Sequence, residues 1–130
     1  MADHPNAELF KRGYAAFQSG DLDTVRSLFD DSIVWHIGGH NHFTGDYKGI
    51  DNVLGLFLQN AQETNGTFGV ELHDVLGNDT HAVALASVHG EKDGRSLSDN
   101  YTNVVHIADG KVTESWIFQE HQAAVDEFWG

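Results

Sequence analysis

At Thr67 the hydrophobic period of this 130-residue chain changes from helical spacing to alternation, and that change restricts its fold more than any other feature. Upstream, the apolar residues recur at helical spacing. Leu9, Phe10, Gly13, Tyr14 and Phe17 form one stripe that stops at Gly20, and Asp21 caps a second, short helix carrying Leu22, Val25, Leu28 and Phe29. That helix is expected to end at Asp30-Asp31, with Ser32 to Ile37 as a short strand. Ile50, Val53, Leu54, Phe57, Leu58 and Ala61 fall at i, i+3, i+4, i+7, i+8 and i+11, which predicts an amphipathic helix closed by Asn65-Gly66.

Downstream of Thr67 the period is two. Val70, Leu72 and Val75-Leu76 lead to a turn at Gly77-Asn78-Asp79, and His81 to His89 alternates small and β-branched residues. Glu91 to Arg95 reads as a hairpin turn, Ser98 to Ile107 as a strand, Ala108-Asp109-Gly110 as a turn and Val112 to Gln119 as the last strand. Gln122 to Trp129 reads as a closing helix. Helices followed by an antiparallel meander define an α+β chain with helices laid on one face of a curved sheet. No repeat, linker or low-complexity segment divides it, so residues 1–130 read as a single domain.

Composition removes several function classes. Twenty acidic residues against seven basic ones give a formal charge of −13, a surface that repels both nucleic acid and anionic membranes. Neither is expected as a partner. No apolar run approaches the ~20 residues of a membrane span, and the start, Met1 to Asn6, lacks a basic segment followed by an apolar one. A cytoplasmic location is the expectation. With no cysteine, disulfides, thiolate metal sites and a cysteine nucleophile are excluded.

The stretch from Val34 to Gly49 crowds His36, His40 and His42 among glycines and aromatics. Together with Asp46 these histidines offer a donor set that suits zinc, iron or nickel. A His-x-His cupin site, however, needs consecutive strands of an all-β barrel, and strong helical patterns flank this stretch. It is therefore read as the wall and rim of an organic pocket, with no metal and no cofactor expected.

Four phrases carry a family resemblance: Phe17-Gln18-Ser19-Gly20-Asp21-Leu22-Asp23, Phe29-Asp30-Asp31-Ser32-Ile33-Val34-Trp35-His36, the loop Gly39 to Gly49, and Asp109-Gly110-Lys111-Val112-Thr113-Glu114-Ser115-Trp116. In order and spacing the chain resembles the nuclear transport factor 2-like superfamily, in its SnoaL-like and ketosteroid-isomerase-like branch. The resemblance implies a cone-shaped curved antiparallel sheet with N-terminal helices packed on its concave face (a cystatin-like fold), an apolar pocket and a homodimer. It also implies a small apolar organic ligand. The fold hosts isomerases, cyclases, hydrolases, dehydratases and plain binding modules alike.

Carrying the isomerase's roles over residue by residue places the base at His36 or, by another landmark, Ile37. The tyrosine falls on Gly13, one residue from Tyr14, and the second acid near Asn103. Neither base position is a carboxylate, so steroid isomerisation by that machinery is disfavoured. The SnoaL-like carboxylate after the last strand corresponds to His121, with Glu120 beside it. His36, Glu120 and His121 are thus the expected catalytic residues, with His36 as the base. Tyr14, Trp35, His40, His42, Phe57, Tyr101, Asn103, Trp116 and Phe118 are the expected substrate contacts. Trp116 and Phe118 share a side of the last strand, as do Tyr101 and Asn103 of the preceding one. Asp99 and Glu114 are expected to face solvent, and His73, His81, His89 and His106 to be ordinary sheet residues. The leading expectation is a cofactor-independent enzyme transferring a proton on an apolar substrate. The alternatives are a non-catalytic ligand-binding module and a dimerisation module of the same fold.

Overall fold

The computed structural model describes residues 3–130. Helix α1 (Pro5–Ser19) starts at His4, whose ring accepts from the Asn6 amide, and stops at Gly20, which takes the left-handed conformation that favours glycine (φ 75°). Asp21 caps α2 (Leu22–Leu28) through the Thr24 amide. The chain then passes directly into β1 (Phe29–Ile37), so Asp30-Asp31 lies in the strand and does not end the helix. A strand that sequence patterning left inside the histidine loop follows: β2 (Gly45–Lys48), antiparallel to β1. It has no β-branched residue to announce it. Helix α3 (Ile50–Glu63), strands β3 (Gly69–Gly77), β4 (His81–Lys92), β5 (Arg95–Ala108) and β6 (Lys111–Gln119), and helix α4 (Gln122–Trp129) complete the chain.

The six strands form one open sheet in the order β2-β1-β6-β5-β4-β3. Every neighbouring pair is antiparallel except β1 and β6, which run parallel, with Trp35 beside Ser115 and Ile37 beside Ile117. Register shifts at His73 of β3 and at Thr113 of β6 put one extra residue in each strand, a device that bends a sheet. On the concave side α1 packs against β3 and β4, α3 against β1 and β2, and α4 against β5 and β6. Small residues on β4 admit α1: Ala82, Ala84 and Ala86 are all buried. Among the described residues no helix is long and apolar enough to cross a membrane.

One glycine is required where β2 becomes α3. Gly49 takes φ 87° and ψ 147°, a region that essentially only glycine occupies. Its amide donates to the Ile33 carbonyl (2.8 Å), and its own carbonyl accepts the first bond of α3 from the Val53 amide (3.1 Å). Gly49→Ala is expected to lower stability by about 1–3 kcal/mol. Urea unfolding would show this as a lower midpoint at an unchanged slope.

Candidate functional site

Between the helices and the concave face lies a cavity of about 130 Å³. It is comparable to the ~150 Å³ apolar cavity that takes up benzene, and hence suited to one ring. Each element supplies its wall for a reason visible in the pattern. Phe10, Gly13, Tyr14 and Phe17 come from the inner stripe of α1, Leu56 and Phe57 from α3, and Trp35 and Ile37 from alternate positions of β1. Ile117 and Gln119 of β6 and Gln122, Val125 and Trp129 of α4 close it. The aromatic rings interlock: Trp35 meets Phe57 edge-on at 5.1 Å, Phe17 meets Phe57 at 5.2 Å, and Phe43 meets Trp129 at 4.7 Å.

Within these apolar walls runs a buried polar chain. Ser115 Oγ donates to Asn103 Oδ1 (2.6 Å), Asn103 Nδ2 donates to the Tyr14 hydroxyl oxygen (3.1 Å), and the Tyr14 and Tyr101 hydroxyls share a bond of 2.9 Å. Asn103 and Ser115 are essentially inaccessible to solvent. Burial pushes the pKa of Tyr14 up although both of its partners pull it down, and burial with the adjacent Tyr14 pushes Tyr101 well above 10. Both phenols therefore keep their protons at neutral pH. Two hydroxyl protons serve one tyrosine–tyrosine bond, and the third partner, Asn103, is a donor. One proton is left over, and both rings line the cavity. Among the described residues that line it, none is charged and none is histidine.

Tyr14, Trp35, Phe57, Tyr101 and Asn103 are thus brought together, the first four as lining and Asn103 behind Tyr14. The placement expected for His36, Trp116 and Phe118 is corrected. Trp35 and Ile37 point into the cavity, and the strand's period of two turns His36 to the opposite face. Likewise Ser115, Ile117 and Gln119 face inward, leaving Trp116 on the convex side and Phe118 exposed there at 57%. On that face His36 stacks on Trp116 (5.2 Å between centroids), and the His106 ring meets Trp116 at 4.8 Å and His81 at 4.6 Å. Glu114, expected in solvent, is half-buried against His36.

His40 and His42 are exposed on the loop at the mouth and do not line the cavity. His42 bonds Glu63 at 2.8 Å, which ties the loop to α3. The loop also meets α4, where Asn41 Nδ2 donates to Asp126 Oδ1 (2.8 Å). Gly39 is needed there: a Cβ would lie 2.2 Å from the Gln122 side chain, and its φ is 85°. The three histidines do not converge as a metal site would require.

Glu120 and His121 are exposed, but His121 is anchored. Its amide (3.1 Å) and Nδ1 (2.8 Å) both bond the Asp99 carboxylate. Asp99 is buried, contrary to expectation, because it shares the inward face of β5 with Leu97, Tyr101 and Asn103. The Asp99 bond and the Glu120 charge raise the His121 pKa, against a small burial effect. Asp99, Glu120 and His121 are the residues that could hold a cation, with one ligand atom each within 4.8 Å of the others. Here Nδ1 already donates to Asp99. Ser115, Gln119 and Asp99 went unrecognised in the sequence, although the period of two that pairs Tyr101 with Asn103 also reaches Asp99.

The fold is that of the nuclear transport factor 2-like superfamily. The chain belongs to its SnoaL-like domain family, whose model matches residues 10–115. An uncharacterized protein of Mycobacterium tuberculosis is 30% identical over 130 residues, covering 99% of each chain. Bal32a, from a soil-derived mobile gene cassette, is 35% identical with a TM-score of 0.94 over 97% of each chain. A protein of unknown function with a cystatin-like fold from Xanthomonas campestris is 27% identical, with a TM-score of 0.88 over 95% of this chain and 96% of that one.

The outer-face histidine has its own signature. His36 Nδ1 lies 2.7 Å from Asp46 and Nε2 2.6 Å from Glu114, and only the doubly protonated ring donates to both. Partial burial lowers the His36 pKa, but the bonds to Glu114 and Asp46 outweigh it and the net shift is upward from 6.5. The folded state therefore holds this proton more tightly than the unfolded chain does. Its contribution is complete below the unfolded value and is lost as pH rises through the folded one. His36→Ala is expected to lower the melting temperature more at about pH 5.5 than at about pH 9. An equal loss at both would contradict the double ion pair.

Proposed function

We propose that this protein binds a small, largely apolar organic molecule in the cavity and acts on it without a cofactor. One observation carries the reading: the buried Ser115–Asn103–Tyr14–Tyr101 chain, which leaves one phenolic proton unspent beside aromatic walls. Burying such a network gains little stability over apolar packing, and its use is to aim a donor at a ligand oxygen. In a dry site that donor polarises a carbonyl and stabilises the oxyanion that develops on enolisation or ring closure. The high pKa values make the tyrosines donors and not bases.

Under the enzymatic reading proton removal would fall to His121, which does not itself line the cavity. It is held by the buried Asp99 and is followed directly by Gln122 of the cavity wall. His36, the base expected from sequence, lies on the other face of the sheet. Bond making then balances simply: His121 takes a proton from the carbon next to the carbonyl, and the carbonyl oxygen accepts the tyrosine hydrogen bond. A second reading, a non-catalytic binding module, is favoured by the uncharged cavity lining. Both readings share the ligand site and differ in turnover.

Acetophenone, a one-ring ketone, separates them. Each single Tyr→Phe variant leaves one free phenolic proton, so the double variant Tyr14→Phe/Tyr101→Phe is the informative one. It is expected to bind acetophenone roughly tenfold more weakly, with ethylbenzene unaffected. Under the enzymatic reading, wild type speeds exchange of the ketone's methyl protons with deuterated water, and His121→Ala loses the acceleration while keeping affinity. Binding without accelerated exchange would leave the binding module. Equal effects of the double variant on both ligands would remove the donor role.

A further inference from the structure

Besides the tyrosine pair, Gln119 of the cavity wall is left incompletely bonded by the chain. Its Oε1 is buried without a hydrogen-bond partner, the sole such side-chain atom among the described residues. Gln119 lies on β6 opposite Tyr101 of β5, and both line the cavity. Directly opposed residues of an antiparallel pair have their Cβ atoms about 5 Å apart. The wall therefore carries a spare donor, from the tyrosine pair, and a spare acceptor on the residue paired with Tyr101.

A leucine would fill this position without leaving an acceptor unsatisfied. The aromatic and aliphatic walls around it would accept one. The cost is borne at a single point of the wall, and no side chain among the described residues answers it. A ligand hydroxyl can. Its oxygen accepts the tyrosine proton, and its own proton goes to Gln119 Oε1.

Resting on the ligand-cavity reading above, we infer that Gln119 is the specificity residue of the cavity and that it selects one-ring ligands bearing a hydroxyl. A ketone or an ether meets only the tyrosine donor. A hydroxylated ring meets both groups, and a plain hydrocarbon meets neither. Gln119 touches ligand and carries no proton in any step.

Three probes of nearly equal size separate these cases in calorimetric titrations of the wild-type protein: phenol, anisole and toluene. Phenol should bind about tenfold more tightly than anisole, the worth of one buried acceptor left unpaired. Gln119→Leu should bring phenol down to the level of anisole and leave anisole and toluene unchanged. The same variant, without ligand, should melt at an equal or higher temperature than wild type, since it removes an unsatisfied acceptor. Phenol and anisole binding equally to wild type would overturn the inference while leaving the cavity reading intact. Binding of none of the three would overturn the cavity reading and this inference with it. If Gln119→Leu failed to fold, the wild-type comparison of phenol with anisole would still decide.

Discussion

The parallel pairing of β1 with β6 is what the rest of the molecule depends on. Within the sheet it is the pairing that joins the strands of the first half to the meander, and it fixes which residues face the cavity. Trp35 beside Ser115 and Ile37 beside Ile117 put an aromatic wall and the buried polar chain on the same side. Because side chains alternate at period two, a slip of β1 by one residue would turn His36 inward and expel Trp35 and Ile37. The ion pairs of His36 with Asp46 and Glu114 form only in the observed register, so the convex face helps to hold the concave one.

This dependence explains how much could be read from the chain. Element order, the α1 stop at Gly20, the Asp21 cap and the bounds of α4 were legible because each rests on local chemistry. The meander was legible for the same reason. Strand β2 was not, since in Gly45-Asp46-Tyr47-Lys48 only Tyr47 favours a strand, and the segment pairs because β1 is there to pair with. The phase of β1 was equally hidden. Val34-Trp35-His36-Ile37 is apolar or aromatic on both faces, so its period does not say which face is inside, and the histidine drew attention by its chemistry alone. Tyr101 and Asn103 were assigned correctly to one face, and extending that face by two residues would have reached Asp99. The buried state of Asp99 follows from the return of the chain at His121, which no local pattern records.

The cavity combines two demands that usually conflict. Packing favours filling a space this small with side chains, while a ligand site needs it open. Here the conflict is eased by rigid rings: Trp35 and Phe17 brace Phe57 edge-to-face, Phe43 braces Trp129, and the walls stay apart. Polar groups are then introduced at few points and are satisfied from behind, Asn103 by Ser115 and Tyr14 by Asn103. Lys92, bonded to both Glu63 and the Trp129 carbonyl, anchors the last helix against α3.

The seam between β1 and β6 also has a consequence for how the molecule is made. His36 and Trp116, neighbours across it, are separated by 80 positions in the chain (116 − 36). Contacts of such long span form late, because the loop between them must be ordered first. During synthesis the helices of the first half emerge with their inner stripes uncovered, and β6, the strand that completes their sheet, follows only after the meander. The cavity therefore lacks a wall for as long as β6 and α4, which supply Ile117, Gln119, Gln122, Val125 and Trp129, are absent.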